Sequence, residues 1–181
     1  MQPDLLTSRL KLRPFLSTDA AAVQRLAGHA EVADTTLAIP HPYPDGAAEA
    51  WISSHETDYA SNREITFAIT LQTTGELLGA ISLMGISVKD SRCEFGYWVG
   101  REYWSNGYCT EAAARLVIFA YEHLNITRLV ARCLARNPAS ARVMVKLAMQ
   151  PEGRLVQHTC KNGVYEDILV YGLNLPGRTR A

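Results

Sequence analysis

Three strand-patterned runs in succession, followed at once by one long helical run, constrain this chain more than any other feature. ITFAITL at 65–71, LLGAISLMGISV at 77–88 and CEFGYWVG at 93–100 are rich in β-branched and aromatic residues, with Thr74-Gly75 as the first turn signal. They read as an antiparallel three-strand meander. From about 107 to 124 the period changes: Ala113, Leu116 and Val117, Ala120 and Leu124 recur at i, i+3/i+4, i+7 and i+11, an apolar stripe down one helix face. A sheet and a helix each bury one face against the other, so this order predicts a layered α+β fold.

The flanking segments extend it. RLKLRPF at 9–15 alternates Leu10 and Leu12 with Lys11 and Arg13, a half-buried strand ended by Pro14. Ser17 or Thr18 then offers an N-cap for a helix over about 19–28. Pro40, Pro42, Pro44 and Gly46 make 35–46 an irregular loop, and Asp45 is placed to cap a second helix through Ala47, Trp51, Ile52 and Tyr59. RLVARCL at 128–134 reads as a short buried strand, and Pro138 fits the first turn of a helix over 138–148 with Asn137 as its cap. VQHTC, the turn Lys161-Asn162-Gly163 and VYEDILVYGL form a closing hairpin. Without a repeat or linker, residues 1–181 are expected to form a single domain.

Charge and cysteine usage exclude several classes. The 18 Lys and Arg balance 18 Asp and Glu for zero net charge, which argues against nucleic acid as the main partner. Cys93, Cys109, Cys133 and Cys160 form no CxxC pair and the histidines form no HExxH, so no metal site is expected. Free thiols suit a reducing compartment. MQPDLLTSRLKLRPF lacks the apolar core of a signal peptide. No run approaches the ~20 apolar residues of a membrane span; LVIFA at 116–120 is preceded by Arg115. A cytoplasmic protein without a membrane partner is the expectation.

Two strand-to-helix junctions hold the candidate chemistry. In CEFGYWVGREYWSNGYCTE, 93–111, Gly96, Gly100 and Gly107 permit close backbone approach or unusual dihedrals. Unpaired amides at a helix start are a ready site for phosphate oxygens. Neither GxxxxGK[ST] nor GxGxxG is present, so a phosphate site and a plain glycine-bearing turn both fit. In RCLARNPASARVMVKL, 132–147, a strand ends at Asn137-Pro138-Ala139-Ser140, where ordinary helix capping is the competing explanation.

These junctions, together with SRLKLRPF at 8–15, EFGYWVGREYWSNGYCTEA at 94–112, NPASARVMVKLAM at 137–149, PEGRL at 151–155 and GVYEDILVYGL at 163–173, fall in one order along nearly the whole chain. In that order they resemble the GNAT superfamily of acetyl-CoA-dependent N-acetyltransferases, and within it the RimJ/RimL-like branch. The resemblance implies a strongly twisted mixed sheet of six or seven strands flanked by about four helices. Two central parallel strands would splay, with the pantetheine arm of acetyl-CoA hydrogen-bonded to strand 93–99 like an added strand. Its pyrophosphate would lie on the turn at 104–110. The implied cofactor contacts are Trp98, Val99, Trp104, Ser105, Asn106, Gly107, Tyr108, Cys109, Thr110, Asn137 and Lys146; Arg101 and Arg142 add local positive charge. Four positions depart from the pattern: Ser105 and Ala148 stand where the branch and the family's KLGF ending carry Gly, Cys109 where the turn usually ends in Gly or Ala, and Met149 where KLGF ends in Phe.

The implied reaction is direct attack of an amine on the thioester, which needs a neutral amine, a polarised carbonyl and a protonated leaving thiolate. Neutralising a lysine amine at pH 7 costs roughly 4.6 kcal/mol and an α-amine only about 1–1.4 kcal/mol. Glu94 is the candidate base, with an ion-paired strand carboxylate as its alternative. Ser140 is the candidate acid, Tyr97, Tyr103 and Tyr108 are other donors, and the Val99 amide is placed to polarise the carbonyl. Cys109 has no neighbouring histidine and is not read as a nucleophile. His41, Tyr43, Trp51 and His55 either line the substrate cleft or pack a helix on the sheet. The acceptor is a small-molecule amine or a peptide N-terminus, and a homodimer is compatible with the reading. A non-catalytic acyl-CoA-binding regulatory module is the rival.

Overall fold

The computed structural model describes residues 2–177. In chain order the elements are β1 (Leu5–Leu6), β2 (Leu10–Arg13), α1 (Ala20–Ala27), α2 (Ala30–Thr35), α3 (Ala47–Ala60), β3 (Glu64–Leu71), β4 (Leu77–Ser87), β5 (Arg92–Val99), α4 (Tyr108–Leu124), β6 (Arg128–Leu134), α5 (Pro138–Lys146), β7 (Gln150–Lys161) and β8 (Val164–Asn174). The strands form one mixed sheet in the order β1-β2-β3-β4-β5-β6-β8-β7. Among the described residues there are thus eight strands and five α-helices, one strand and one helix beyond the expected range. The additions are the two-residue β1 and the six-residue α2, both too short to carry a legible hydrophobic period.

The meander is present as read, with β3 antiparallel to β4 and β4 to β5; Ile81 lies opposite Phe67 on one side and Tyr97 on the other. The stripe of α4 buries Ala112, Ala113, Leu116, Phe119 and Ala120 on one sheet face. There Phe119 meets Phe67 edge-on at 5.6 Å. A second cluster fills the other face, where Val23 and Leu26 of α1 and Ala48 and Ile52 of α3 pack on Ala68, Leu77 and Trp98. That cluster includes no residue of β6, β7 or β8, and β7 is exposed over residues 150–158.

Two caps differ from expectation. Ser17–Asp19 forms a 3-10 turn ahead of α1. The buried Asp19, rather than Ser17 or Thr18, closes it by accepting from the Leu16 amide at 2.8 Å and from both Arg13 terminal nitrogens at 2.7 and 2.9 Å. Gly46, at φ 75°, starts α3, and Asp45 instead accepts from Gln24 Nε2 at 3.2 Å.

The central pair carries the functional geometry. β5 and β6 run parallel but pair only over Arg92–Glu94 and Arg128–Val130. Beyond Glu94, β5 stays with β4 as far as Val99, while β6 follows β8 as far as Leu134. The sheet therefore opens into a V whose apex is Glu94 and Val130.

Candidate active site

One wall of the V is the free edge of β5. The Gly100 amide donates to Leu78 of β4 at 2.8 Å. In an antiparallel strand the amide and carbonyl of one residue share an edge and alternate along the chain, so Trp98 turns its backbone to β4, and Tyr97 and Val99 turn theirs to the opening. Trp104 Nε1 donates to the Val99 carbonyl at 2.7 Å, which leaves the Val99 amide directed into the cleft. Trp98 is a correction to the expected contacts: its backbone belongs to β4 and its ring packs with the α1–α3 cluster.

Side chains alternate across the sheet, so Tyr97 and Glu94 lie on opposite faces. On the α5 side, Tyr97 Oη is 2.9 Å from Ser140 Oγ and 3.1 Å from the Ser140 carbonyl. Burial pushes the Tyr97 hydroxyl well above the ordinary phenol range, so it stays protonated. Ser140 sits in the first turn of α5, its amide donating to Asn137 Oδ1 at 3.1 Å, while Asn137 Nδ2 donates to the Thr35 carbonyl at 3.0 Å. Asn137 is engaged in capping α5 and in tethering α2. Tyr103 and Tyr108 are elsewhere: Tyr103 donates to Glu76 at 2.5 Å, and the Tyr108 ring lies 4.6 Å beneath the Arg9 guanidinium.

The turn before α4 has Ser105 at φ 64° and Gly107 at φ 79°. The first bond of the helix runs from the Glu111 amide to the Gly107 carbonyl, so the amides of Tyr108, Cys109 and Thr110 have no helical acceptor. A clamp fixes this turn. The Glu111 carboxylate accepts from Thr7 Oγ1 at 2.6 Å, Ser8 Oγ at 3.0 Å, the Arg9 amide at 2.9 Å and Arg9 Nε at 2.7 Å. Arg9 in turn donates to the Asn106 carbonyl at 3.1 Å. Burial opposes ionisation of Glu111, yet the bonds from Thr7, Arg9 and Ser8 outweigh it and hold the carboxyl down at about 2. Sequence reading missed this clamp: Ser8, Arg9 and Glu111 lie in two of the quoted motifs and Thr7 just before the first, but nothing in either motif shows that they meet.

The remaining expected residues fall as follows. Glu94 is ion-paired: Oε1 accepts from Arg132 Nε at 2.9 Å and Oε2 from Arg132 Nη2. The pair borders a cavity of about 320 Å³. Burial drives the Cys109 thiol far above its usual range, which removes it as a nucleophile. Lys146 is exposed at the far end of α5. His41 is exposed, with Nδ1 3.1 Å from the Gly28 carbonyl, and Tyr43 packs in the α1–α3 cluster. Trp51 and His55 are packing residues. Their rings meet at 4.5 Å and both touch Phe15, at 5.0 and 5.4 Å. Neither His55 ring nitrogen has a partner, and burial lowers its pKa to about 4. No cluster of three or more potential metal ligands occurs among the described residues, and no described helix is long and apolar enough to cross a membrane.

Residues 9–150, more than three quarters of the chain, match the model of the acetyltransferase (GNAT) domain. The chain belongs to the GNAT acetyltransferase family. The uncharacterized N-acetyltransferase YoaA of Bacillus subtilis is 31% identical over 97% of this chain and 99% of its own length. The ribosomal-protein-serine acetyltransferase of Escherichia coli is 29% identical over 53% of this chain and 54% of its own. Among solved structures, RimL, the ribosomal L7/L12 α-N-protein acetyltransferase in complex with coenzyme A, superposes with a TM-score of 0.87 at 19% identity, covering 96% of this chain and 98% of that one. This GNAT protein is an N-acetyltransferase, with the mixed, splayed sheet that the resemblance implied.

Proposed function

We propose that this GNAT domain moves the acetyl group of acetyl-CoA to a primary amine by direct attack on the thioester, inside the V between β5 and β6. The observation that carries the reading is the Ser140–Tyr97 hydroxyl pair, 2.9 Å apart, beside an unpaired stretch of β5 edge. The pantetheine arm would bond along that edge from Tyr97 to Val99. Its pyrophosphate would rest on the amides of Tyr108, Cys109 and Thr110, at the turn of Trp104, Ser105, Asn106 and Gly107. RimL in complex with coenzyme A and the microcin C7 self-immunity acetyltransferase MccE in complex with acetyl-CoA share the fold, which supports that cosubstrate.

Bound acetyl-CoA supplies the acyl group and the thiolate leaving group. The Val99 amide faces the opening, where it can donate to the thioester carbonyl as negative charge develops there. As the amine forms the new C–N bond and the C–S bond breaks, the Ser140 hydroxyl donates its proton to the departing sulfur and is reprotonated from solvent; Tyr97, itself protonated, holds that hydroxyl in place. The amine's surplus proton leaves on the Glu94 face. Both Glu94 oxygens already hold Arg132, so a water relay suits this site better than a strong side-chain base. That favours an amine needing only about 1–1.4 kcal/mol to become neutral at pH 7, an α-amine rather than a lysine. A peptide N-terminus or a small α-amine is therefore the acceptor class, in line with the E. coli relative named for ribosomal-protein serine. Four free cysteines fit a reducing cytoplasm.

Ser140→Ala tests the reading. Turnover should fall about 10²-fold while the calorimetric affinity for CoA changes by a small factor. The reverse split would make Ser140 a cofactor contact only.

A further inference from the structure

On the sheet face opposite Ser140, the cavity of about 320 Å³ at the apex of the V is lined by Arg92, Glu94 and Arg132 together with Val130, Leu155 and Val170. It lies on the part of that face that the α1–α3 cluster leaves uncovered, and its charged lining carries one net positive charge. Arg132 meets Glu94 sideways, through Nε and Nη2. A guanidinium has five N–H donors, so this pairing leaves the end-on fork of Nη1 and Nη2 able to take a second planar acceptor bidentately. Its side chain is 39% exposed. Arg92 is still less committed, reaching Asp90 only at 3.6 Å with 60% of its side chain exposed.

We propose that this cavity holds a carboxylate belonging to the acceptor, so that the preferred substrate is a small amine that carries its own negative charge. Glu94 then acts as a positioning residue: by occupying the side of Arg132 it aims the fork at the incoming carboxylate. Val130, Leu155 and Val170 receive the acceptor's apolar body. The inference rests on the acetyl-transfer reading and deepens it. The carboxylate belongs either to a free amino acid or to an acidic side chain at a peptide N-terminus, and the two sources share one chemistry.

The test measures thiol release from acetyl-CoA, with rates expressed per neutral amine, for leucine against leucinamide and Asp-Ala-amide against Asn-Ala-amide. The carboxylate member of at least one pair should show kcat/KM higher by about tenfold or more, chiefly through KM; the pair that responds identifies the source. Arg132→Gln should bring that ratio close to one. Arg92→Gln, a change at an exposed side chain that leaves the Glu94 pair untouched, should lower it in part. Equal rates within both pairs, or a ratio that survives both substitutions together, overturns the proposal. If CoA binds but no amine releases thiol, the transferase reading fails by itself. The same pairs titrated into the protein–CoA complex then decide the pocket: tighter binding of the carboxylate member upholds it, and equal or absent binding overturns it.

Discussion

Ala148 offers a direct measurement of backbone strain. Helix α5 ends in a Schellman arrangement, with the Ala148 amide bonded to the Val145 carbonyl at 3.0 Å and the Met149 amide to the Met144 carbonyl at 3.1 Å. Met144 and Met149 are both buried in the core, 1% and 2% exposed, so the closing contact of the motif is in place. The residue at the left-handed position, φ 61°, is alanine, whose Cβ costs about 1–2 kcal/mol in that region. Ala148→Gly relieves this but adds about 0.5–1 kcal/mol of backbone entropy lost on folding. Because Ala148 is exposed, no cavity is created. The net expectation is a gain of about 0.5–1 kcal/mol, or roughly 1–4 °C in Tm for a chain of this length. Urea unfolding should show a higher midpoint with an unchanged m-value. An equal or lower midpoint would refute the strain argument, and so would an Ala148→Val variant as stable as the parent.

Three further outcomes follow from the site and its supports. Burial holds the folded His55 at about 4, below its unfolded value, so its neutral form stabilises the fold fully above pH 6.5. That contribution, roughly 3 kcal/mol, is lost as pH falls from about 6.5 towards 4; His55→Leu should flatten the slope in denaturant titrations, and a parent protein equally stable at pH 7 and pH 5 would contradict it. Glu111, held near 2, should lose its contribution in a separate window as pH falls from about 4.5 towards 2. Glu111→Gln should remove that dependence and weaken CoA binding severalfold by loosening the turn, whereas unchanged affinity would show that the clamp does not shape the cofactor site. Tyr97→Phe should lower kcat by at least about tenfold with little change in KM for acetyl-CoA; a change in KM alone would assign Tyr97 to binding.

Long periodic elements were legible and long-range contacts were not. Strand β6 coincides with its reading at 128–134 because RLVARCL alternates facing sides while its turns bound it. The stripe of α4 and the Asn137 cap of α5 were equally plain, since each is a local pattern. The clamp of Thr7, Ser8 and Arg9 on Glu111 joins residues about a hundred positions apart, which no local period encodes. Glu94 shows the same limit from the other side. Its strand was correct, but its partner Arg132 is set by the register of a parallel pair, visible only once β5 and β6 are aligned. His55 and Trp51 carry types common in clefts, yet the helix turns them inward against Phe15. Ser105 and Ala148 both hold positive φ at positions where the resemblance led one to expect glycine, so the backbone kept its path and the side chains bear the strain.

Acetyl-CoA-dependent thiol release across a panel of α-amines, short peptides and lysine-type amines, with the acetylated product identified by mass, decides whether the V between β5 and β6 transfers acetyl groups. Thiol and N-acetylated α-amine should appear in equal amounts, with α-amines ahead of lysine-type amines. Tight acetyl-CoA binding without thiol release from any amine would rule out transfer and leave a CoA-binding regulatory module in its place.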